Sequence, residues 1–112
     1  MSRNEITGKQ AEQRARVAAC RVRIVALVTA AGTDGISTED LRGSLVLHWR
    51  KPDVDNALRE AVAASEIVRG ERDGSGGWRY RSPEAVRTLA ETRAARTRAL
   101  LDVATATRKA AA

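Results

Sequence analysis

At Ser65 the apolar spacing of this chain changes from helical to alternating, and that change limits the folds open to it. Before it, Val54, Leu58, Ala61 and Val62 recur three and four residues apart, behind a Pro52 suited to the first turn of a helix. After it, Glu66-Ile67-Val68-Arg69-Gly70 reads as a strand and the stretch from Glu71 to Gly77 as a turn-rich loop. Trp78-Arg79-Tyr80-Arg81 then alternates as a returning strand. A chain of 112 residues has room for one modest core. With no Phe, one Tyr and two Trp, that core is aliphatic.

The remainder is helical in pattern. Residues 1–6 read as frayed, and Thr7-Gly8-Lys9-Gln10 fits a capping box that opens a helix running to Ala31. Val17, Cys20, Ile24, Leu27, Val28 and Ala31 form its apolar stripe, and Gly32 supplies a left-handed stop. Gly35-Ile36-Ser37 fits a very short strand. Ser37 then caps a second helix, with Leu41 and Leu45 four apart on its buried side. Ser82-Pro83-Glu84 starts a last helix reaching about Arg108, with Val86, Leu89, Leu100, Leu101 and Ala104 near one side. The fold class expected is mainly α with a small β-hairpin (α+β). Its parts are an N-terminal helical extension over 1–20, a central domain over 21–82 and a C-terminal helix over 83–112.

The net charge is +6, carried by the ends of the chain. Residues 1–31 hold six basic and two acidic side chains and residues 83–112 hold six and three, whereas residues 32–82 hold eight and nine. A basic excess attracts polyanions without sequence specificity. One Cys excludes an internal disulfide framework, and one His leaves no set of metal ligands, so neither metal nor cofactor is expected. The Gly-rich segment 74–77 lacks the Lys-Ser/Thr of a nucleotide loop and leads into a strand. No nucleophile–base pair stands out either, so the chain is not expected to be an enzyme. No apolar run reaches membrane-spanning length and no secretion signal opens the chain. A cytoplasmic address is therefore expected.

The order helix, short strand, helix, helix, hairpin resembles the winged helix-turn-helix domain. The resemblance spans Arg21 to Ser82, and its most diagnostic part is Val54-Asp55-Asn56-Ala57-Leu58 followed by Ala63-Ala64-Ser65-Glu66-Ile67-Val68-Arg69. It implies a winged helix-turn-helix flanked by long N- and C-terminal helices that binds double-stranded DNA as a transcriptional regulator or architectural protein. The third helix would enter the major groove with Asn56 suited to adenine, and with Arg50, Lys51 and Arg59 near the same side. The hairpin would act as the wing, with Arg72, Arg79 and Arg81 reaching backbone phosphate or the minor groove, and with Arg79 and Arg81 on an outward face. The flanking helices would pair, within or between chains, and make a homodimer that reads two half-sites.

Three features depart from the compact family form. The turn before the third helix is about two residues longer and holds His48, Trp49 and Arg50, and Lys51 stands at the cap position where Ser or Thr is preferred. Asp53, Asp55 and Glu60 also put carboxylates on or near the surface expected to face phosphate. The alternative reading is a winged-helix module whose partner is a protein.

Overall fold

The computed structural model describes residues 3–74 and 76–111, with side chains from residue 8 to residue 110. The chain forms α1 (Arg3–Ala30), a 3-10 turn (Gly32–Asp34), β1 (Ile36–Ser37), α2 (Thr38–Leu45), α3 (Lys51–Ala63), β2 (Val68–Arg72), β3 (Trp78–Arg81) and α4 (Pro83–Ala111). It is a mainly helical α+β fold with one antiparallel sheet. Ile36 and Ser37 of β1 pair with Tyr80 and Arg79, so the expected hairpin becomes a three-stranded sheet of order β1-β3-β2. α1 starts at Arg3, ahead of the capping sequence at Thr7. That residue lies inside the helix, and its side chain is outside the described ones.

Local chemistry explains the element ends. The Ser37 hydroxyl accepts from the Asp40 N–H at 3.1 Å and opens α2. The Ser82 hydroxyl accepts from the Ala85 N–H at 3.1 Å and opens α4. For α3 the cap residue is Arg50, one position before the Lys51 expected, and its side chain makes no cap bond. Pro52 needs no N–H partner there, and the Asp53 carboxylate faces the positive end of the helix dipole. The helix ends in a Schellman motif: the Glu66 N–H donates to Ala61 O and the Ser65 N–H to Val62 O, both at 3.0 Å. Ser65 sits in the left-handed region at φ 59°, and there the backbone leaves helical geometry for the sheet.

Val17, Cys20, Ile24 and Val28 of α1 meet Leu41 and Leu45 of α2, Val54, Ala57, Leu58 and Ala61 of α3, and Ile67 and Tyr80 of the sheet region. α1 runs unbroken past residue 20, and Val17 and Cys20 are part of this core. The molecule measures 85 × 25 × 20 Å. At 1.5 Å per residue, α1 and α4 are each roughly 40–45 Å long. The long axis therefore requires them to extend from opposite ends, and they do not pair lengthwise within the chain. Ala85 of α4 is buried and Leu89 half-buried, but every residue from Glu91 to Ala110 is exposed.

Candidate nucleic-acid interface

α3 buries Asp53, Val54, Ala57, Leu58 and Ala61 and leaves Lys51, Pro52, Arg59, Glu60 and Ala63 exposed. A groove of about 500 Å³ opens between α3 and the sheet, lined on its apolar side by Leu58, Val62 and Tyr80. Three guanidinium-bearing residues from three elements reach it, Arg42 of α2, Arg59 of α3 and Arg69 of β2, together with one carboxylate, Asp55 of α3. Among the described residues, no ion pair engages Arg59 or Arg69.

The carboxylates expected to repel phosphate are paired. Asp53 is only 4% exposed and takes an Arg16 Nε–H bond at 3.2 Å, so α1 covers it and it does not lie on the outer face. Arg42 donates to Asp55 at 2.8 Å, and Arg21 reaches both Glu60, at 3.8 Å, and Glu66. Burial, and secondly the Asp53 charge, push the Cys20 thiol above its ordinary range, so it is a poor thiolate.

Asn56 is half-buried, in a crevice it shares with Gln13, Arg14, Val17 and Glu60. The overhanging part of α1 therefore lies beside it, which the helix spacing alone did not disclose. Arg50 and Lys51 are exposed at the start of α3.

The hairpin arginines are distributed differently from the expectation. Arg79 donates to the backbone oxygens of Asp34 (3.1 Å) and Gly35 (3.3 Å). Arg81 donates to Thr33 O at 2.8 Å and holds Glu71 through two bonds of 2.7 and 2.9 Å. Both side chains clamp the 3-10 turn against β3 rather than pointing outward. The bonds from Arg81 hold the Glu71 carboxyl down at about 2, helped by a backbone bond and the Arg79 charge, and Glu71 in turn raises Arg81.

Arg69 and Arg72 occupy the other face. Arg69 pairs with Tyr80 and Arg72 with Trp78, so three residue steps on β2 match two on β3, a bulge at Gly70-Glu71. Residues three apart in a regular strand face opposite ways. The extra residue puts both arginines over the Trp78 ring, at 4.4 and 4.7 Å from its centroid. Arg72 also donates to Gly76 O at 3.3 Å. Arg42 was not among the sequence candidates, and Arg69 counted in the sequence only as one of four arginines clustered around the Gly-rich hairpin. Arg42 carries no signal on its short helix, and the face of Arg69 depends on the bulge.

Among the described residues no group of three or more His, Cys, Asp or Glu side chains could hold a metal ion, and no helix is long and apolar enough to cross a membrane. Fold and surface together define a class: a small, mainly helical α+β domain with a three-stranded antiparallel sheet and a basic groove. Comparison of the chain with protein-family models, with curated proteins and with solved structures finds no match.

Proposed function

We propose that this chain is a winged helix-turn-helix protein that binds double-stranded DNA and acts as a homodimer in transcription regulation or DNA organisation. The observation that carries the reading is the groove rimmed by Arg42, Arg59 and Arg69, beside a helix whose carboxylates are matched by Arg16, Arg42 and Arg21. A phosphate backbone passing between α3 and the β2–β3 wing would meet Arg59 of α3 and Arg69 of β2, with Arg42 of α2 beside them in its pair with Asp55. Phosphate contacts of this kind set register, while side chains on the helix read base edges. Asn56 is the reader for adenine in this scheme, with Gln13 and Arg14 of α1 beside it. Arg50 and Lys51 supply charge at the start of the helix, and Arg72 supplies it on the wing. Leu100, Leu101 and Val103, each more than 60% exposed on α4, are the basis for dimerisation between chains.

A salt series on random-sequence duplex tests the proposal. Each phosphate neutralised contributes about 0.9 to the slope of log affinity against log salt, so Arg59→Ala with Arg69→Ala should flatten it by about 1.8. A protein that binds no duplex even at low salt would overturn it.

A further inference from the structure

The long turn between α2 and α3 carries two apolar side chains, Val46 and Leu47, that the DNA reading leaves unused, beside the cations Arg50 and Lys51 that the two readings share. Leu47 is 85% exposed and Val46 is 69% exposed, next to each other at the end of α2. Isolated exposed aliphatic residues are ordinary, but Val46 lines a cavity and Leu47 follows it at the rim. A pocket of about 240 Å³ lies beside them, lined by Arg42, Val46, Trp49, Lys51 and Val54. It has room for one large apolar side chain, and Trp49, half-buried, supplies an aromatic wall. The turn is held in place at its start: the His48 and Trp49 N–H groups both donate to Leu45 O, at 3.1 and 3.0 Å.

Charge decides what fits there. No acidic side chain occurs from Val46 to Lys51, whereas Arg50 and Lys51 are exposed and, among the described residues, engage in no ion pair. The nearest carboxylates on α3 are committed, Asp53 to Arg16 and Asp55 to Arg42. A second copy of this turn would bring the same cations together across a two-fold axis, which opposes self-association. A phosphate backbone would leave Val46 and Leu47 without apolar partners. We infer that this turn docks an acidic segment of another protein, which inserts an apolar anchor into the Trp49 pocket and sets its carboxylates against Arg50 and Lys51. At protein interfaces a few anchors in well-packed pockets carry most of the binding energy, and rim charges set specificity and association rate. The inference does not rest on the DNA reading.

The test is a selection from a displayed library of random peptides, roughly twelve residues long, against the full chain. Enriched peptides should carry a large apolar residue flanked by Asp or Glu. A synthesised winner should bind about tenfold more weakly to Leu47→Glu, and measurably more weakly to Leu47→Ser. Both substitutions are at an exposed position, so circular dichroism melts should match the parent. If Leu47→Glu disturbs the fold, Leu47→Ser alone decides. Affinity of Leu47→Ser for duplex DNA should stay within about twofold of the parent. Enrichment without acidic residues, or binding indifferent to Leu47→Ser, overturns the inference. A loss of duplex binding by Leu47→Ser assigns the turn to a nucleic-acid face, and a loss of dimer in light scattering assigns it to a second copy; both also overturn it.

Discussion

Arg16, at the middle of α1, donates to the carboxylate of Asp53 in the first turn of α3 at 3.2 Å, and that carboxylate is almost wholly buried. The pair ties the overhanging part of α1 to the start of the helix proposed to enter DNA. Arg16→Ala would leave a buried carboxylate with no cation, a loss of about 1–3 kcal/mol readable by urea denaturation. Asp53→Asn should lose stability too, but leave duplex affinity unchanged, because the group faces α1. A rise in non-specific affinity on Asp53→Asn would place this carboxylate on the binding face.

The Glu71–Arg81 pair sets a pH window. Glu71 is held near 2, below its ordinary 4.5, so the folded state favours the carboxylate. Its contribution is complete above about 4.5 and is lost as pH falls toward 2. Because Glu71 is 58% exposed, the contribution stays below about 1 kcal/mol. The difference in melting between the parent and Glu71→Gln should shrink across that window and be constant above it.

Arg79 and Arg81 differ from Arg69 in what they hold. Replacing Arg79 and Arg81 by Ala should lower the melting temperature by releasing the Thr33-Asp34-Gly35 turn, with little change in the salt slope per binding event. Arg69→Ala should flatten the salt slope by about 0.9. Equal slopes for the parent and Arg69→Ala would remove the groove from the interface.

Gly35 and Ser65 are paired tests of the backbone. Gly35 has φ 71°, and a Cβ there would stand 2.7 Å from Tyr80 O, so Gly35→Ala should cost more than the roughly 1–3 kcal/mol of conformational strain alone. Ser65→Gly should stabilise by roughly 1 kcal/mol, since only the side chain opposes its left-handed φ. Chemical denaturation of each variant gives both values.

Truncation after Ala90 separates folding from assembly. α4 beyond that residue touches little of the domain, so the shortened chain should melt like the parent. If α4 holds the proposed dimer, it should also be monomeric by light scattering at micromolar concentration. An unchanged dimer would move the interface elsewhere.

Element order and ends were legible because they rest on contacts a few residues apart. The Ser37 and Ser82 caps, the Pro52 start and the Val17-Cys20-Ile24-Val28 stripe all depend on spacing within one helix. The third strand was legible only as a possibility, since Ile36 and Ser37 become a strand by meeting Tyr80 and Arg79 across more than forty residues.

The sequence by itself determined the succession of helices and strands, the aliphatic core and the change of spacing at Ser65, because backbone propensities, caps and apolar periodicity act locally. Tertiary structure alone decided which charged residues are available. Asp53 and Asn56 lie on the side of α3 toward α1, and only the path of α1 shows that one is buried and the other half-buried. Likewise a single extra residue at Gly70-Glu71 sets Arg69 and Arg72 over Trp78, while Arg79 and Arg81 close on the 3-10 turn. Strand alternation inverts at a bulge, and nothing in the composition of a Gly-rich hairpin states where the bulge falls.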